Sequence, residues 1–79
     1  MKKIEVGTVV ENPITLDDSC LFLLKQNDGV YLVISTDRQA AKDNIFVHRG
    51  QEMCIEGTVL LDPNIKGVLI TEQAKINSL

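Results

Sequence analysis

The sequence predicts an all-β domain: a small closed barrel of short, bent strands with one short helix. Three observations carry this. The first is the stretch from Gly50 to Leu61. Here Met53, Ile55, Gly57 and Val59 share one face at the strand period of two, and Glu52, Cys54, Glu56 and Thr58 share the other. Gly57 interrupts the apolar face where a side chain is due, and a glycine inside a strand marks a bulge, a barrel corner or the close approach of another backbone. The second is that the same local text recurs as Val6-Gly7-Thr8-Val9-Val10. Two strands that bend at a glycine and pair are what closing a small barrel needs. The third is scale. The chain has 79 residues, 44% of them hydrophobic, with many β-branched residues in short runs between breakers. A single domain over residues 1–79 is expected, and at this size a closed barrel builds a core without leaving long sheet edges.

The elements follow in order. Met1 to Val10 reads as a strand with Ile4, Val6, Thr8 and Val10 in one phase. Val9 is apolar on the other, so a phase shift at Gly7 is expected. Glu11 to Asp18 reads as a loop, since Pro13 cannot donate to a ladder and Asn12-Pro13 initiates turns. Ser19 to Gln26 is a strand with Phe22 and Leu24 inside and Leu21 and Leu23 outside. Asn27-Asp28-Gly29 tolerates positive φ and makes a tight hairpin. Val30 to Ser35 follows, with Val30, Leu32 and Ile34 expected in the core and Tyr31, Val33 and Ser35 pointing outward. Thr36 and Gln39 form a capping box for a short helix ending near Asn44, which must dock on the barrel because it is too short to stand alone. Ile45 to Val47 is an apolar connection, and His48-Arg49-Gly50 turns into the strand already described. After the turn-rich Asp62 to Gly67, Val68 to Ile76 is the last strand, and Asn77 to Leu79 a frayed end.

Charge and composition exclude several function classes. A net charge of −3 and a pI near 4.9 argue against strong non-specific affinity for phosphate backbones. No apolar run is long enough to span a bilayer, and Lys2-Lys3 is followed by alternation, not by the apolar core of a signal peptide, so a cytoplasmic location and no membrane partner are expected. Cys20 and Cys54 are expected as free thiols in a reducing compartment. The lone His48 and the cysteine spacing match no zinc motif. Asp17-Asp18 has no third carboxylate or histidine near it in sequence, and no nucleophile stands beside a base. The expectation is a non-catalytic protein without cofactor or metal.

The order strand, strand, strand, short helix, strand, strand, together with Gly7-Thr8-Val9, Phe22-Leu23-Leu24 before the hairpin, and Gly50-Gln51 leading into Ile55-Glu56-Gly57-Thr58-Val59, resembles the oligonucleotide/oligosaccharide-binding (OB) fold, a five-stranded Greek-key barrel with a short helix between its third and fourth strands. Within that fold the chain looks most like bacterial single-stranded-DNA-binding proteins and the related primosomal replication protein. The resemblance implies binding of single-stranded DNA or RNA on a groove lined with aromatic and basic residues. This chain has no Trp, and its only aromatics are Phe22, Tyr31 and Phe46.

Two functions are therefore expected. The first is a single-stranded nucleic-acid-binding module, with Tyr31 stacking on a base, Leu21, Leu23 and Val33 in apolar contact with bases, and Lys25, Arg49 and Lys66 on phosphates. Arg38 and Lys42 would add charge around the helix. The second is an OB-fold module that contacts protein, as a homo-oligomer or on a larger partner, through an apolar face formed by Leu21, Leu23, Tyr31 and Val33. The discriminating feature is the character of the face around Tyr31. Converging cations favour the first reading, and a neutral apolar patch favours the second.

Overall fold

Short runs of β-branched and aliphatic residues, separated by turns, give six strands in the computed structural model, which describes residues 2–16, 19–36 and 47–79, the side chains of 73–75 and 77 aside. The strands are β1 (Lys2–Val9), β2 (Ile14–Leu16), β3 (Ser19–Gln26), β4 (Gly29–Ser35), β5 (Glu52–Leu60) and β6 (Gly67–Ser78). The expected helix from Thr36 to Asn44, with Arg38, Lys42 and Phe46, and the Asp17-Asp18 pair lie outside the described residues, Thr36 itself excepted.

The sheet runs β1-β5-β6-β4-β3-β2, and a further pairing of β1 with β3 closes five of the strands into a barrel. All pairings are antiparallel except β4 with β6. This is the five-stranded Greek-key OB barrel that the sequence predicts. The stretch read as a loop after β1 contains β2, three residues laid along the outer edge of β3. At the other end of the chain, Asn77 and Ser78 do not fray. They pair with Cys54 and Met53, and the Leu79 amide donates to the Glu52 carbonyl at 3.0 Å.

The two mid-strand glycines, Gly7 and Gly57, sit where backbones crowd. β1 pairs with β5 from Lys2 to Thr8 and with β3 at Thr8 and Val9. At this crossing a Cβ on Gly7 would lie 2.6 Å from the Lys25 carbonyl oxygen. A Cβ on Gly57 would run into the Ile70 carbonyl. Gly57 also ends an irregularity in which the β5–β6 register slips, so that Thr71 and Ile76 both face inward although they are five apart. The Glu56 carbonyl, within this slip, accepts a 2.6 Å hydrogen bond from the buried Thr71 hydroxyl.

The core lies inside the barrel. Val9, Phe22, Leu24, Tyr31, Val33, Met53, Ile55 and Leu69 are buried, with Cys20 and Val47 beside them. Phe22 and Leu24 are inside, as expected. β4 has the phase opposite to the expected one: Tyr31 (3% exposed), Val33 (0%) and Ser35 face in, while Val30, Leu32 and Ile34 are half-exposed outside. The two-residue turn is the reason. Gln26 pairs with Gly29, so Leu24 stands opposite Tyr31 and Phe22 opposite Val33. Directly opposed residues share a face. The phase shift expected at Gly7 of β1 is absent: the register against β5 runs unbroken from Lys2 to Thr8, with Ile4 and Val6 outside and Val9 inside, so Val9 shares the phase of Glu5 and Gly7.

Candidate interaction face

The outward residues of β3, β4, β6 and β5 fall into rows, because opposed residues in a ladder stand side by side. One row runs Leu23, Leu32, Val68, Leu60. The next runs Ile14, Leu21, Ile34, Ile70, and passes on to Thr58. Leu23 is 37% exposed, Leu60 50% and Ile14 64%, and the other five are half-buried. Strands about 4.8 Å apart make each row of four roughly 14 Å long. Because the rows cross four of the five barrel strands, the result is a neutral aliphatic band that curves round the outside of the barrel.

Charges stand at its two ends. Lys25 is one step beyond Leu23 on β3, toward the hairpin, and is exposed. Glu72 is one step beyond Ile70 on β6, at the opposite end, and is also exposed. Lys2 flanks the surface beside Thr58.

The residues expected to form a site are thus only partly together. Leu21, Leu23 and Lys25 do share the outer face. Tyr31 and Val33 do not: both are buried within the barrel, which removes Tyr31 as a stacking platform and Val33 as an apolar contact. Leu32 and Ile34, expected in the core, stand instead on the outer face where Tyr31 and Val33 were expected. Arg49 is exposed in the turn before β5, where its backbone amide donates to Asn12 Oδ1 at 3.0 Å. That anchors it against the β1–β2 connection and away from Lys66.

Lys66 is already engaged at one end of the barrel. Its Nζ donates to Asp28 Oδ1 (2.6 Å) and Gln26 Oε1 (2.5 Å), and stands 5.3 Å from the centre of the Tyr31 ring, within cation–π range. The Tyr31 hydroxyl donates to Glu5 Oε1 at 3.2 Å, and Gln26 Nε2 to Glu5 Oε2 at 2.6 Å. Glu5 faces in because it stands opposite Ile55. The Lys66 ammonium, chiefly through its hydrogen bond, holds the Asp28 carboxyl below the usual carboxylate range, and Asp28 in turn holds Lys66 above its own. Burial, and then the Glu5 carboxylate, push the Tyr31 phenol above its ordinary value. These side chains form a polar plug on the barrel mouth, and that work takes Lys66 out of the set of cations open to a phosphate.

Six face residues were missed from the sequence: Ile14, Leu32, Ile34, Leu60, Val68 and Ile70. The hairpin register identifies two of them, since a two-residue turn that puts Phe22 inside must put Leu32 and Ile34 outside. Among the described residues no group of three or more His, Cys, Asp or Glu is arranged to hold a metal ion, and no helix is long and apolar enough to cross a membrane. No protein-family model and no curated protein matches the chain.

Proposed function

We propose that this protein is a non-catalytic OB-barrel interaction module that docks protein on the outer face of β3, β4 and β6. The observation that carries this reading is the pair of aliphatic rows, Leu23-Leu32-Val68-Leu60 and Ile14-Leu21-Ile34-Ile70. Single-stranded nucleic acid is bound by aromatic platforms and converging cations. Among the described residues the cations beside this face are Lys25 and Lys2, both at its rim, and the tyrosine that would stack lies inside. A contiguous exposed apolar surface with charge confined to its edge is what a protein interface uses.

A photoreactive amino acid replacing Leu23 in the full chain tests this directly in cells. The expected product is a discrete adduct that is degraded by protease and resists nuclease. A nuclease-sensitive adduct, or none, overturns the reading. Fluorescence anisotropy with labelled single-stranded DNA and RNA gives the second arm. No saturable binding is expected at tens of micromolar even at low salt. Binding that weakens steeply with salt and that Lys25→Glu removes would reinstate the nucleic-acid reading, for which Lys25 and Arg49 remain exposed.

A further inference from the structure

Resting on that reading, we infer that the partner docked here is an extended, aliphatic segment of another protein, laid across the strands and wrapped part of the way round the barrel. The shape of the band argues for this. It crosses β3, β4, β6 and β5, four of the five strands that close the barrel. A rigid partner rests on a curved wall along one line and leaves the rest of the band in water. An unstructured segment follows the curve, and such segments cover large surfaces because they order only on binding. The band is also narrow. Its two rows stand two residues apart along each strand, which is about 7 Å. That suits one extended chain, whereas a helix with its side chains is about 10–12 Å across and does not bend round so small a barrel.

Charge sets the ends. Measured round the barrel, the band starts on β3 beside Lys25 and finishes past β5, where Lys2 stands opposite Thr58. Both lysines are exposed, and among the described residues neither joins an ion pair. Glu72 lies along one side, past Ile70. A segment with an aliphatic centre and a carboxylate to each side of it matches this order, and Glu72 disfavours a carboxylate in the middle. Such rim charges select the partner and its register more than they add affinity. Each row is roughly 14 Å long at the backbone, and longer over the side-chain tips. At about 3.3 Å per residue, an extended chain covers it with about five to eight residues.

The photoreactive amino acid placed in cells at Leu23, and separately at Leu60, in the full chain reads this out. Both side chains are exposed, so both variants should fold, and circular dichroism checks that they do. After digestion, mass spectrometry locates each crosslinked residue in the partner. The expected result is one partner polypeptide, with the residues joined to positions 23 and 60 about five to eight apart in its sequence. The same replacement at Val6, exposed on β1 away from the rows, should not capture that stretch. Made as a free peptide, the stretch should give a coil spectrum and bind the purified chain in the micromolar range by fluorescence anisotropy. Leu23→Glu and Leu60→Glu should each weaken this binding by about tenfold, since each puts a charge on the apolar track. Lys25→Glu and Lys2→Glu should each weaken it by about threefold at low salt, and by less at high salt. A spacing outside that range, such as a helix gives at about 1.5 Å per residue, overturns the wrapped segment. So do two different polypeptides, a crosslinked stretch inside a folded domain, or a peptide indifferent to Leu60→Glu. In each of these cases the protease-sensitive adduct at position 23 still upholds protein docking. A nuclease-sensitive adduct there, or none, defeats docking itself, and the segment with it.

Discussion

Tyr31 is the sole tyrosine of a chain without tryptophan, so its phenol is followed alone by near-ultraviolet absorbance as pH is raised. Burial first, and the Glu5 carboxylate second, disfavour the phenolate. The folded protein should therefore titrate above the ordinary tyrosine value of about 10, and the urea-unfolded chain should return to about 10. Between those two values the unfolded chain releases a proton that the folded one retains. Stability owed to Tyr31 is thus complete below about pH 10 and falls as pH rises beyond it. Lys66, also raised, acts in the same direction. A folded-state titration at the unperturbed value would contradict the buried phenol. Substitution separates the ring from its hydroxyl. Tyr31→Phe should cost about 1 kcal/mol in urea melts, the worth of one hydrogen bond. Tyr31→Ala should cost about 3–5 kcal/mol, the range for emptying an aromatic site in a core. A stacking tyrosine on the surface would show little of either.

Two glycines separate space from backbone conformation at the level of the strand and the turn. Gly57→Ala puts a methyl group onto the Ile70 carbonyl, which is backbone and held in the β5–β6 ladder. A loss of about 1–3 kcal/mol is expected, seen as a lower urea midpoint with unchanged slope. Gly50, in the turn before β5, has φ 86° with nothing within 4 Å of a Cβ. Gly50→Ala should cost about 1–2 kcal/mol, from the left-handed conformation alone. If the two costs are reversed, the strand crossing is not as tight as described. Gly57 was legible in the sequence because it breaks the apolar alternation, Gly50 as the end of a turn, and so was the hairpin at Asn27-Asp28. The face of β4 was not, and neither was the unbroken phase of β1 through Gly7. Alternation identifies the inner face only where the other face is polar, and here Leu32 and Ile34 outside are as apolar as Tyr31 and Val33 inside. The signal that misled the β4 reading is therefore the outer aliphatic rows themselves. The slip between Thr71 and Ile76 is a change of register that only the pairing with β5 reveals. Lys66 reads in sequence as a surface charge, and only the fold brings Asp28, Gln26 and Tyr31 to it.

At the scale of the whole molecule, the barrel is held by pairings between distant segments. β1 reaches both β3 and β5, and β4 joins β6 in parallel. Such topology closes late and as one unit, with refolding expected in milliseconds to seconds. The two cysteines lie on opposite sides of this wall. Cys20 is buried in the core, and its burial pushes the thiol's pKa up, whereas Cys54 is half-exposed on the outside, opposite Val6. A thiol reagent should therefore react in two phases. Cys54 sets the fast one. Cys20 sets the slow one and reacts only when the wall parts, so small additions of urea should accelerate it. A single fast phase for both thiols would mean that β3 opens independently of the barrel. The chain thus carries its own pair of chemical timers: one keeps time with solvent, the other with the breathing of the fold.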